Sequence, residues 1–220
     1  MIRRYDFGTP INTFAIAVPQ PVCTDEMPRF AVTRQGDAVS FTVKLDEDDQ
    51  IFGLGESVRG MNKRGHRYRA WCSDDYAHTE DKASLYAAHN FVLFSGKNKT
   101  VEDRGIFGLY VDDPGAVTFD LGYTRGDEAV ITSENGDCSV YYIEADSLTA
   151  AVREFRHLIG RSYLPPKWGL GYIQSRWGYV TEADLREVAR NHRERHIPLD
   201  MLSMDIDYME DFKDFTWDAK

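Results

Sequence analysis

The sequence is short of cysteine, of positive charge and of long apolar runs. Three cysteines occur in 220 residues, at 23, 72 and 138. Their odd number and wide spacing, with no Cys-x-x-Cys pair, make neither a disulfide framework nor a zinc site and fit a reducing compartment. Lysine and arginine number 26 against 36 aspartates and glutamates, a formal charge of −10. A chain of that sign repels phosphate backbones and anionic lipid surfaces, so neither nucleic acid nor a membrane is an expected partner. No apolar run approaches the roughly 20 residues that cross a bilayer. The opening Met-Ile-Arg-Arg-Tyr-Asp-Phe-Gly has no apolar segment after its basic pair, so no signal peptide is legible. The expectation is a soluble, cytoplasmic protein, in which the sequon Asn98-Lys99-Thr100 has no use.

What is present is a series of short extended segments. Ala38 to Leu45 alternates apolar and polar side chains, the period of a half-buried strand. Extended segments follow at 51–56, 91–94, 105–111, 116–121, 129–132 and 139–143. Turn signals separate them, among them Asp112-Asp-Pro-Gly115, Arg125-Gly-Asp127 and Glu134-Asn-Gly-Asp137. Many short strands at even spacing predict an antiparallel β-sandwich over residues 1–160. No internal repeat or low-complexity tract interrupts it.

The period then changes. Leu148, Ala151, Val152 and Phe155 fall at helical spacing, with Gly160 placed to end the helix and Pro165-Pro166 to stiffen a linker. Residues 169–176 read as a strand. Thr181-Glu-Ala-Asp184 opens a second helix with a capping box, and Leu185, Val188, Ala189 and His192 form its apolar stripe. Residues 200–207 read as the next strand. Strands joined through one helix are parallel. A parallel pair cannot cover both of its faces alone. Residues 161–220 therefore read as the incomplete start of a β/α barrel, and the rest of that barrel is the expected partner of this segment.

Alternation along 200–207 puts Leu202, Met204 and Ile206 on one face and Met201, Ser203, Asp205 and Asp207 on the other. In a closed barrel the second set points inward, with its carboxylates at the carboxyl end, where such barrels hold their active sites. Two inward carboxylates are costly unless paired or solvated. The bland alternative is that one of them only accepts bonds from Arg176 or a neighbouring strand. Asp211 and Asp214 read as surface charges.

These residues carry a resemblance. Pro165-Pro-Lys-Trp, Gln174-Ser-Arg-Trp-Gly-Tyr179, Ile197-Pro-Leu-Asp200, Met204-Asp-Ile-Asp-Tyr-Met209 and Asp214-Phe-Thr-Trp217 are similar to the start of the catalytic barrel in α-glucosidases of glycoside hydrolase family 31. Upstream, Phe52-Gly-Leu-Gly-Glu-Ser57 and Trp71-Cys-Ser-Asp-Asp75 resemble that family's N-terminal β-sandwich, while residues 1–50 match it weakly.

The resemblance implies a retaining exo-α-glucosidase acting on α-linked oligosaccharides without a cofactor or metal. It implies that Asp205 binds hydroxyls of the terminal glucose with Ile206 beside the same sugar. It gives Asp74, with Asp75 as the other register, as the sandwich's contribution, and Trp177 as a stacking platform. Asp207 joins them as the second carboxylate of its strand. Asp74 has an alternative as a turn former and Trp177 one as core. Retention needs two carboxyl groups about 5–5.5 Å apart, a nucleophile and an acid/base. The family's nucleophile segment, of the form Trp-x-Asp-Met-Asn-Glu, does not occur in residues 1–220. Both catalytic carboxylates are expected beyond Lys220 and the chain alone is expected to be inactive. A related activity on α-xylosides or α-galactosides and a non-catalytic carbohydrate-binding sandwich are the alternatives. His78, Glu80 and His89 lack ligand spacing and read as polar loop residues. Residues 97–104 read as a surface insertion.

Overall fold

The computed structural model describes residues 1–96 and 105–219; the insertion read at 97–104, and the sequon within it, lie outside the described residues. Two compact units are present, Met1–Arg161 and Ser162–Lys220. The first holds ten strands: β1 (Ile2–Phe7), β2 (Ala31–Gln35), β3 (Ala38–Lys44), β4 (Gln50–Gly53), β5 (His66–Ala70), β6 (Phe91–Ser95), β7 (Ile106–Asp112), β8 (Val117–Leu121), β9 (Glu128–Ser133) and β10 (Cys138–Ala145). They form two five-stranded antiparallel sheets, ordered β1-β10-β7-β6-β4 and β2-β3-β9-β8-β5.

The two sheets bury different fractions of themselves, and their sequences show it. In β3, Val39, Phe41 and Val43 are buried while Ser40 and Thr42 are half-buried; β8 and β9 alternate in the same way. This sheet has one face on the core. In β6 and β10, by contrast, runs of consecutive residues are buried. Val92, Phe94, Val140 and Tyr142 join the core between the sheets, while Phe91, Leu93 and Ile143 pack with Ala151 and Phe155 of α1 (Leu148–Ile159). The helix covers the second face. Phe91 and Phe155 stack with ring centroids 3.9 Å apart. Gly108 of β7 makes room for them, since a Cβ there would stand 2.8 Å from the Phe91 ring. Helix α1 begins at Ser147, whose hydroxyl accepts from Ala150 N, and ends at Gly160 with φ 85°.

The second unit has β11 (Ile173–Ser175), α2 (Glu182–Glu194) and β12 (Met201–Ser203), with β11 and β12 parallel as expected. Thr181 and Asp184 form the capping box, with donor–acceptor distances of 3.2 and 2.8 Å. Both strands are shorter than the sequence suggests. Lys167–Leu170 is a 3-10 turn, because Pro166 opens it and Gly169 N and Gly171 N donate to Pro166 O and Trp168 O. The strand therefore starts after Gly171, where a Cβ would collide with the Asp200 carboxylate that accepts from Tyr172 N. At the other end, the extended run stops at Ser203 rather than at 207. Residues 206–218 close on themselves instead, through Met209 N to Ile206 O, Asp218 N to Tyr208 O and the Tyr208–Trp217 ring contact at 5.2 Å. The stripe of α2 is half-buried throughout. No closed barrel is present among the described residues.

Candidate functional site

Each unit contributes its own group of candidate side chains. In the second unit, the parallel register pairs Ser175 with Ser203. Trp177 and Asp205 each follow two residues later, so both stand just past the carboxyl ends of adjacent parallel strands. Trp177 is 71% exposed within this chain. Asp205 is exposed and Ile206 is 43% exposed. Arg176 does not reach either carboxylate: its Nε donates to the Trp177 carbonyl at 3.1 Å. Asp207 differs from Asp205. It is half-buried, and its Oδ2 is enclosed without a hydrogen-bond partner among the described residues. Strand alternation no longer relates these two residues, because both lie after β12.

In the first unit, Asp74 and Asp75 sit on the long loop between β5 and β6. The loop is fastened from several sides. Arg69 N donates to Ala83 O at 2.9 Å, Ser73 N to Leu85 O at 2.8 Å, and the hydroxyls of Ser73 and Ser84 are 2.9 Å apart. Arg59 donates to the carbonyls of Glu80 and Arg67 while its guanidinium lies 5.3 Å over the Tyr68 ring. Asp75 belongs to this fastening. It pairs with Lys82 and accepts from Ala77 N, and these two contacts, the lysine foremost, hold its carboxyl below the usual range. Asp74 is exposed and makes no such bond. Among the described residues, Asp75 is engaged within the loop, whereas Asp74 makes neither a hydrogen bond nor an ion pair.

A cavity of about 700 Å³ opens in the first unit, and none of the six sequence-predicted residues lines it. Its wall includes Trp71, His89, Asn90, Tyr110, Asp112 and Phe155. Asp112 is buried and accepts from the Thr13 hydroxyl at 2.6 Å, and burial raises its carboxyl above the ordinary value. Burial likewise pushes the Tyr110 phenol up and the His89 imidazole down. Little in the local sequence marks this cavity. His89 was visible only as an isolated polar residue, and Asp112 as part of a turn. No group of three or more potential metal ligands occurs among the described residues, and no helix there is long and apolar enough to cross a membrane.

A two-sheet antiparallel sandwich followed by a parallel strand–helix–strand unit is the architecture of a β-sandwich domain followed by the start of a β/α barrel. Residues 12–120 match the glycosyl hydrolase 31 N-terminal galactose mutarotase-like domain, and residues 162–220 match the glycosyl hydrolases family 31 TIM-barrel domain. The chain belongs to glycosyl hydrolase family 31. It is 35% identical over 189 residues to alpha-glucosidase 2 of Bacillus thermoamyloliquefaciens, covering 86% of this chain and 23% of that protein. It is 26% identical to the alpha-glucosidase of Saccharolobus solfataricus, covering 84% and 26%. Among solved structures, the family 31 dextranase of Flavobacterium johnsoniae complexed with isomaltotriose aligns with a TM-score of 0.75 at 28% identity, over 84% of this chain and 22% of that one. The chain spans about a quarter of the length of these relatives.

Proposed function

We propose that this chain supplies the sandwich and the first two barrel strands of a retaining, exo-acting α-glucosidase that releases terminal glucose from α-linked oligosaccharides. The observation that carries the reading is the placement of Asp205. It is an exposed carboxylate two residues past the end of a parallel strand, the position from which β/α barrels address their substrates. In this reading Asp205 accepts hydroxyls of the terminal glucose, Ile206 lies against the same sugar, and Trp177 offers its open face to the ring beyond. Asp74 is the sandwich's contribution, carried on a loop whose neighbouring carboxylate, Asp75, is already engaged. Asp207, half-buried, is the second carboxylate of this segment on the substrate side. Residues 161–220 are the surface on which the rest of the barrel packs.

The names of the relatives support glucose as the released sugar, two being alpha-glucosidases and the aligned structure a dextranase. Catalysis itself needs a nucleophile and an acid/base on opposite sides of the glycosidic bond. No segment of the family's nucleophile type occurs within residues 1–220. The 220-residue chain by itself therefore binds but does not hydrolyse. The free thiols Cys23, Cys72 and Cys138 fit a cytoplasmic setting.

The test is an assay of nitrophenyl α-glucoside, α-xyloside and α-galactoside with the 220-residue chain and with a protein that carries it together with the remainder of a family 31 barrel. Turnover of the α-glucoside by the larger protein only, with the product released first as the α-anomer, supports the reading. Preference for the xyloside or galactoside, or turnover by the purified 220-residue chain, contradicts it.

A further inference from the structure

We propose that the cavity in the first unit, walled by Trp71, His89, Asn90, Tyr110, Asp112 and Phe155, is a second carbohydrate-binding site, built from residues other than those assigned to the substrate. Its size comes first. About 700 Å³ lies inside the roughly 300–1,000 Å³ typical of small-molecule clefts. Every residue that walls it belongs to the first unit, so the site is complete within the sandwich and its helix.

The second argument is an unmet bond. The Asn90 amide nitrogen donates to the carbonyls of Val111 and Asp113, at 3.1 and 3.4 Å, which fixes the orientation of the side chain. Its Oδ1 is thereby turned away from those carbonyls, is enclosed, and has no partner among the described residues. Enclosed acceptors are satisfied in nearly all folded proteins, and this open one belongs to a residue of the cavity wall. Asp112 adds a second acceptor. Its Oδ1 is taken by Thr13, and the carboxylate stands in the same wall.

The chemistry of the wall selects the ligand. No lysine or arginine lines the cavity, while Asp112 and Asp113 do, so phosphates and other anions are disfavoured. The acceptors ask for hydroxyl donors, and the imidazole of His89, held neutral by its surroundings, can both give and take a hydrogen bond. The apolar part of the wall carries aromatic rings beside Ala15, Ala70, Ala88, Pro114 and Ile159. Phe155 is wedged among Phe91, Tyr110 and His89, at centroid distances of 3.9, 5.3 and 5.7 Å, and is rigid. Trp71 is 49% exposed, with the Arg69 guanidinium 5.4 Å from its ring. A neutral molecule with hydroxyls along its rim and an apolar ring face satisfies both halves of this wall. That is a sugar ring.

This inference does not rest on the catalytic reading, and the test keeps the two apart. The 220-residue chain is titrated with maltose while the indole N–H of Trp71 and the ring protons of His89 are followed by nuclear magnetic resonance. Saturable shifts at both residues are expected. Trp71→Ala should weaken that binding about fivefold to tenfold, the scale of one aromatic contact. Asp112→Asn, which keeps the shape and can still accept from Thr13, should weaken it about tenfold. Asp205→Asn should leave these shifts as they are, and inorganic phosphate should produce none. Absence of saturable shifts at Trp71 and His89, or binding there that survives both Trp71→Ala and Asp112→Asn, overturns the proposal.

Discussion

Ser175 and Ser203 are register partners in the parallel pair β11–β12, so Trp177 and Asp205 each stand two residues beyond matched strand ends. That matching gives a large aromatic side chain and a carboxylate adjacent origins at one edge of the sheet. Both are exposed, and neither is taken up by Arg176, which is turned back to the carbonyl of Trp177. A sugar is oriented by such a combination, with a ring face against the indole and hydroxyls against the carboxylate.

The loop between β5 and β6 separates two neighbouring carboxylates by role. Asp75 is tied to Lys82 and Ala77 N, whereas Asp74 is free. Asp75→Asn should loosen the loop, seen as faster proteolysis between residues 76 and 82, and any loss of activity should follow that loosening. Asp74→Asn should leave proteolysis unchanged yet lower kcat/KM about tenfold or more in a protein with a complete barrel, the loss of one charged hydrogen bond. Limited proteolysis and steady-state kinetics on both variants give the answer. An Asp74 variant of undiminished activity would leave this loop with no part in the site.

Asp112 provides a pH signature. Burial raises its folded-state pKa above the ordinary carboxyl value, so the folded chain holds that proton more tightly than the unfolded chain does. The corresponding stability is fully present below the unfolded pKa, near 3.9, and is lost as pH rises through the folded value. Asp112→Asn keeps the acceptor for Thr13 and removes the charge. Its thermal midpoint should exceed that of the parent at pH 7, and the gap should close below about pH 4. A midpoint lower at pH 7 than at pH 4, relative to the parent, would show that a bond to the charged form outweighs desolvation.

Phe155 joins α1 to the outer face of its sheet through three aromatic neighbours. Phe155→Ala should destabilise the first unit by about 3–5 kcal/mol, the usual range for deleting a buried phenyl ring. Urea unfolding of residues 1–161 followed by circular dichroism measures it, and a change below about 1 kcal/mol would mean the helix is not held by this contact.

The interior of the fold was readable because interior strands carry a pattern. Val39, Phe41 and Val43 alternate with polar residues, and Leu148, Ala151 and Phe155 repeat at helical spacing, so β3 and α1 were visible within about a residue. Strands β1, β2 and β5 were not. All three are sheet edges. Edge strands carry charges that discourage pairing with other chains, and Arg3, Asp6, Arg34, Arg67 and Arg69 break the alternation there. The strand read over 200–207 was too long for a different reason. Its apolar alternation continues past Ser203, but the backbone is bent away by the closed loop at 206–218, whose bonds involve Thr216 and Asp218 far along the chain. The motif containing Asp205 and Trp177 let both be placed past the ends of parallel strands, which is where they stand. The cavity at Asn90 and Asp112 was not legible, because its wall is assembled from five separated stretches of sequence and depends on an unmet bond that no local pattern records.

The central claim is that Asp205 binds the sugar undergoing hydrolysis, and the most direct measurement is the kinetics of Asp205→Asn in a protein carrying this chain together with a complete barrel. Bonds to a charged acceptor that tighten toward the oxocarbenium-like state should be lost from turnover as well as from binding. The account predicts that kcat/KM for a nitrophenyl α-glucoside falls at least about 100-fold, equivalent to roughly 2.7 kcal/mol, with an unchanged circular dichroism spectrum. Asp214→Asn should change it by less than about twofold. A folded Asp205→Asn variant with kcat/KM near that of the parent would contradict the account.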